Sequence, residues 1–148
     1  MKIEYILYHL NKAKKIMHQY VDVQLKKEGF GDLVSAYTDI VTVLFMNEGK
    51  LKMNEISHMV GKDKSTVTVL INRLIDKGYV QKEKSTLDKR VTYVILTDKA
   101  LSHKAALESI ASEVTDIAFK GFTDEEHDLF KSGLIKLEEN FVDALRGQ

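Results

Sequence analysis

Between Asp63 and Lys77 the chain sets out short hydroxyls, an amide and cations in a helical spacing. At about 100° per residue, Lys62, Ser65, Thr66, Val69 and Arg73 turn to one face, and Val67, Leu70, Ile71, Leu74 and Ile75 to the other. The first face suits the base edges of a DNA major groove, which offer acceptors, donors and the thymine methyl. Ser65 and Thr66, near the helix start, reach deepest, and Lys64, Thr68, Asn72 and Arg73 extend the contact to further bases or phosphates. A second group follows at Ser85-Thr86-Leu87-Asp88-Lys89-Arg90. A guanidinium at Arg90 suits the negative minor groove, and Asp88 can orient it through a bidentate pair. Lys82, Lys84 and Lys89 fall where they would track phosphates, which sets affinity more than sequence preference.

Positioning these groups takes a helix, a turn and two strands. A short helix from about Met53 to Val60 ends at Gly61; at its start Lys52 is a poor cap and Asn54 a good one, leaving two boundaries open. Gly78 closes the recognition helix. Period-two alternation over Tyr79–Lys84 and Val91–Leu96 then predicts a hairpin, and its glycine-free loop predicts a projecting tip instead of a tight turn. The result is a winged helix-turn-helix.

Around it the periodicity predicts helices over residues 2–27, over about 32–46 with Asp32 as cap, and after Thr97 a single helix carrying Leu101, Leu107, Ile110 and Ile117. Asn47–Lys50 reads as a turn. Thr123-x-x-Glu126 forms a capping box for a last helix bearing Leu129, Phe130, Leu134, Leu137, Phe141 and Leu145. The outer helices hold more apolar side chains than one small lobe can cover, which points to a symmetric dimer. The fold expected is mainly α with a small β-wing. It is a single domain over 1–148, with a DNA-binding lobe at about 32–97 and dimerisation helices at about 1–28 and 98–148.

The 148 residues carry no net charge, but the charge is unevenly placed. From Lys50 to Lys104 there are twelve Lys/Arg against six Asp/Glu, a net of +6; residues 105–148 hold four against ten, a net of −6. A basic middle beside an acidic tail fits a polyanion-binding module joined to an assembly element. The absence of cysteine excludes disulfides, thiolate metal sites and thiol redox switches. No signal peptide or membrane span is expected, so the default is a soluble cytoplasmic protein.

Neither an enzyme nor a cofactor is expected, since the chain lacks a phosphate loop, a nucleophile elbow and a paired-carboxylate signature. His9, His18, His58, His103 and His127 are scattered without metal-ligand spacing, and His127 is expected in an exposed acidic helix start. Gly133, inside the last helix, is a position where a missing side chain permits close packing.

From Asn54-Glu55-Ile56 through Ser65-x-Val67-Thr68, Leu74-x-x-Lys77-Gly78-Tyr79-Val80, Asp88-Lys89-Arg90 and Leu96-Thr97, the chain resembles the MarR family of transcriptional regulators. Ala100 departs from the pattern, standing where a glycine is common. The resemblance implies a homodimeric repressor on a pseudo-palindromic double-stranded DNA operator, relieved by a small-molecule effector. The effector pocket it implies lies where dimerisation helices meet the DNA-binding lobe. Tyr5, Tyr8, Tyr20, Phe30, Tyr37 and Phe45 are the aromatic groups near that junction, and core packing is the ordinary role for most of them. A regulator with no effector, or a winged protein-interaction module, is the alternative reading.

Overall fold

The computed structural model describes residues 3–148, with side chains from Tyr5 onward. Residues 1 and 2, and the side chain of Ile3 expected on the first helical face, lie outside the described residues. The elements run α1 (Ile3–Lys27), α2 (Ser35–Phe45), β1 (Lys50–Lys52), α3 (Met53–Val60), α4 (Lys64–Asp76), β2 (Val80–Lys84), β3 (Thr92–Leu96), α5 (Asp98–Ser102), α6 (Lys104–Ala118) and α7 (Asp124–Arg146). The architecture is mainly helical with a three-stranded antiparallel sheet, ordered β1-β3-β2. The chain forms two compact units, divided between Ser112 and Glu113.

In the first unit the core is built where α2, α3 and α4 turn their apolar faces to the sheet. Ile40, Val41 and Leu44 of α2, Ile56 of α3, and Val67, Ile71 and Leu74 of α4 are all fully or almost fully buried, as is Val94 on β3. Burying a side chain of this size stabilises by about 1.5–3 kcal/mol, so the lobe is held mainly from within. Its turns use glycine where the backbone demands it. Gly29 (φ +83) ends α1, and the Phe30 amide donates back to the Leu25 carbonyl at 2.8 Å.

Two expectations change here, and one choice left open is settled. Asp32 does not cap α2. The chain is still turning at Leu33, whose amide bonds Phe30, and the first residue of α2 is served across space: the Ser35 amide donates to Asp22 Oδ1 of α1 at 2.7 Å. The turn after α2 leads straight into a strand, β1, with only Leu51 buried; one inward residue is too little to register as alternation. That strand also settles the start of α3. Lys52 pairs with Tyr93 and serves as N-cap, its amide held by Glu55 Oε1 at 3.1 Å, so Asn54 is not the cap.

The helix after Thr97 is two helices. Thr97 caps α5 as expected, but His103 interrupts the run before α6. Its ring packs edge-on against Phe30 at 4.7 Å and beside Tyr79 at 5.9 Å, a tertiary contact that competes with helical continuity.

In the second unit the Thr123–Glu126 capping box forms as predicted, with bonds of 2.9 and 3.1 Å. Phe119, Phe122 and Phe130 make edge-to-face pairs. His127 is half-buried with its ring 4.4 Å from Phe119, so it is not simply part of an exposed acidic helix start. No residue of α7 is buried, and a Cβ at Gly133 would meet nothing within 4 Å among the described residues. No helix among the described residues is long and apolar enough to cross a membrane.

Candidate nucleic-acid interface

The start of α4 is organised by Asp63. Its carboxylate accepts from the Ser65 hydroxyl at 2.7 Å and the Thr66 amide at 2.8 Å, and these bonds draw its pKa down to about 2. The helix therefore begins with a fixed first turn. Because Val67, Ile71 and Leu74 point inward, Lys64, Ser65, Thr66, Val69, Asn72 and Arg73 point outward, while Lys62 and Thr68 are half-buried. Near Lys62 lies Asp39 of α2. Burial raises the Asp39 carboxyl above its usual range, against the pull of His18, Lys62 and Lys14.

Several of the outward groups already have partners within the chain. The Thr68 hydroxyl donates to the Lys64 carbonyl at 2.7 Å. Lys82 Nζ on β2 donates to Asn72 Oδ1 at 2.9 Å, and Arg73 Nη1 reaches the Tyr37 hydroxyl at 3.5 Å. Sequence reading placed Asn72 and Lys82 as separate contacts. The fold joins them, tying the far end of the recognition helix to the wing.

The wing is a different construction. In the β2–β3 ladder Lys82 stands opposite Val94 and Lys84 opposite Thr92. At the tip, Ser85 Oγ accepts from the amides of Leu87 and Asp88, both at 3.2 Å. Two backbone bonds of 3.0 Å, from the Ser85 amide to the Val91 carbonyl and from the Val91 amide to the Asp88 carbonyl, close the loop. Arg90 meets Asp88 as expected: Nε to Oδ1 at 3.1 Å and Nη2 to Oδ2 at 3.2 Å, with the Arg90 amide also on Oδ1 at 3.0 Å. The guanidinium and then the amide hold the Asp88 carboxyl below its usual range. The Arg90 side chain remains 91% exposed, and Lys89 is exposed beside it.

Recognition helix and wing meet across a cleft of about 340 Å³, whose walls include Lys64 and Thr68 of α4 and Arg90 of the wing. Its third wall is Lys52, Asn54 and Ser57, which were not in the predicted set. The signal for them was the three-residue spacing of Asn54 and Ser57 on the first helix of the motif.

A second cleft, of about 510 Å³, opens between the end of α1 and α5, lined by Phe30, Asp32, Tyr79, Lys99 and His103. Lys99 Nζ sits 4.5 Å over the Tyr79 ring and bonds the Lys77 carbonyl at 2.7 Å. Burial, then Asp32, pushes the Tyr79 hydroxyl up to about 12. Of the six aromatic residues singled out in the sequence, only Phe30 lines this cleft. Tyr5 and Tyr8 are exposed on α1, Tyr37 is buried in the core, and Tyr20 and Phe45 are half-buried. Among the described residues no group of three or more His, Asp or Glu is placed to hold a metal ion.

The profile of the family described as "Transcriptional regulator SarA/Rot" matches residues 34–107, half of the chain. The transcriptional regulator SarZ of Staphylococcus haemolyticus is 29% identical over 130 residues, covering 87% of this chain and 84% of that one. Among solved structures, a MarR protein from Peptoclostridium difficile superposes with a TM-score of 0.83 at 28% identity, covering 94% of this chain and 88% of that one. Reduced AbfR bound to DNA shares the fold, with a TM-score of 0.75 at 20% identity over 96% of this chain and 93% of that one. The profile match over half of the chain places it in the SarA/Rot family of transcriptional regulators, and its helices and wing have the winged helix-turn-helix fold of MarR-type proteins.

Proposed function

We propose that this protein is a cytoplasmic homodimeric repressor that binds a pseudo-palindromic operator and is released by a small ligand. In this reading the lobe over about 32–97 reads DNA, and the flanking helices assemble the dimer. The observation that carries it is the shared cleft: Lys64 and Thr68 at the start of α4, Lys52 and the oriented Arg90 border one concave surface that gathers three cations. Ser65, Thr66, Val69, Asn72 and Arg73 meet the major groove. Arg90 enters the minor groove, and Lys62, Lys64, Lys82, Lys84 and Lys89 follow phosphates. The DNA-bound state of AbfR supports the same use of the fold.

Assembly follows from exposure. Ile6, Ile16 and Val23 on α1, and Leu129, Phe141 and Leu145 on α7, are open to solvent in the single chain. Apolar rows of this extent mark an interface, and a two-fold dimer brings two reading heads to two half-sites about one helical turn apart. For the effector, the cleft joins the rings of Phe30, Tyr79 and His103 to Lys99, which suits a small aromatic acid whose carboxylate takes the place of Asp32, 4.0 Å from the Lys99 Nζ.

The test is anisotropy titration of duplexes selected by the protein from a randomised pool, repeated over a salt series. We expect log affinity to fall linearly and steeply with log salt. Salt-insensitive or undetectable binding sinks the reading. Addition of benzoate then examines the cleft: it should raise Tm and weaken DNA binding together, and Lys99→Met should abolish both effects.

A further inference from the structure

We infer that Leu87, at the tip of the wing, is an apolar wedge for the DNA minor groove and so a specificity-determining residue. The inference rests on the DNA-binding reading above. Leu87 is 97% exposed, more than any other large hydrophobic side chain among the described residues. A lone exposed leucine is ordinary on a protein surface. What distinguishes this one is how it is held and what stands beside it.

The exposed apolar residues of α1 and α7 recur along helices, where a partner helix can cover them. Leu87 stands alone between Thr86 and Asp88 on a loop, covering no core. Its backbone is nevertheless fixed, because the Ser85 hydroxyl oxygen takes its amide and the next one, and Val91 closes the loop behind it. A side chain presented from an ordered platform loses little further freedom on binding. Beside it are the cations that would bring the tip to the phosphate-lined groove: Lys89 and the Asp88-oriented Arg90.

Many proteins that enter the minor groove insert leucine, isoleucine, phenylalanine or methionine between base steps. Partial unstacking is offset by the closer wrap it permits. Pyrimidine–purine steps unstack most readily, so a wedge at Leu87 selects TA or CA/TG steps under the wing without any base hydrogen bond. Arg90 supplies attraction and Leu87 supplies selection by deformability.

The experiment uses the full-length protein and a duplex it selects from a randomised pool, with 2-aminopurine replacing each adenine under the wing in turn. Unstacking brightens that base. Wild type should brighten one position per half-site. Leu87→Ser should lose the brightening and bind roughly tenfold more weakly, the worth of burying much of a leucine side chain, with an unchanged salt slope. Leu87→Met should keep both, and Arg90→Ala should reduce the slope by about one. A Leu87→Ser protein that matches wild type in affinity and brightening overturns the inference. So does a wild type that brightens no base under the wing. Recovery of no duplex from the pool overturns the DNA-binding reading itself, whatever Leu87 does.

Discussion

Helix α4 and the wing tip border one cleft but are positioned by opposite physics. The helix is held from behind: Val67, Ile71 and Leu74 are fully buried, and the outward residues go where that burial sends them. The wing tip has no such anchor. Leu87 and Arg90 are almost wholly exposed, and the loop keeps its shape through hydrogen bonds of 3.0–3.2 Å among Ser85, Leu87, Asp88, Arg90 and Val91. Apolar burial is cooperative with the whole fold, whereas an exposed polar loop contributes little to global stability. The direction in which α4 presents its outward residues can therefore be altered only by disturbing the lobe, whereas the shape of the wing tip can be retuned almost freely.

The sharpest way to break this contrast is from inside the helix. Ile71→Ala should cost about 2–5 kcal/mol in urea denaturation, because Ile71 is wholly buried and the lobe can only partly collapse around the space left. DNA affinity should then fall in step with the folded fraction. A loss under about 1 kcal/mol, the level of an average substitution, would mean the recognition helix is not held by its core face.

The next largest effect is at the joint between the two regions. Gly78 has φ +81, where its amide bonds the Ile75 carbonyl as α4 ends and β2 begins. A Cβ there would touch only Lys99 Cδ, at an ordinary 3.5 Å, so the cost of Gly78→Ala is backbone strain alone. That is about 1–2 kcal/mol, measurable as a lower Tm with affinity at low temperature preserved.

The same contrast governs what was legible in the sequence. The inward face of α4 and the Gly78 stop follow from local spacing, and both are present. So is the Asp88–Arg90 pair, two residues apart. What local spacing could not supply are bonds between distant segments: Asp22 serving the start of α2, Lys82 on Asn72, and His103 wedged against Phe30 so that one expected helix becomes two. The second cleft was illegible for the same reason, since Phe30, Tyr79 and Lys99 are far apart in the chain and meet only in the fold.

A smaller effect separates the regions by pH. In the folded protein Asp63 titrates near 2, held down first by the Ser65 hydroxyl and then by the Thr66 amide, against a reference value of 3.8. Because the folded value is the lower one, the stabilisation is fully present above 3.8 and is lost as pH falls from 3.8 through 2. Circular-dichroism melts over that range should show Tm falling as this carboxylate takes up its proton. Asp63→Asn, still an able cap, should remove that part of the slope while keeping the helix. An unchanged slope would place the acid sensitivity elsewhere.

The smallest expected effect on stability, and the most telling for the wing, comes from Asp88→Asn. Tm should move by less than about 2 °C, because the pair with Arg90 is exposed and such pairs contribute little. For DNA binding two consequences oppose each other. Removing a negative charge beside Lys89 and Arg90 strengthens attraction to any phosphate backbone, and that gain is screened by salt. Loss of the bidentate partner lets the guanidinium wander, which weakens a contact that depends on its direction. If Asp88 acts by orientation, the selected duplex should bind several-fold more weakly while random DNA binds as well or better, at matched salt. Equal strengthening on both duplexes would reduce Asp88 to a charge that merely tempers the wing, leaving hydrogen bonds through Ser85 to shape the tip unaided.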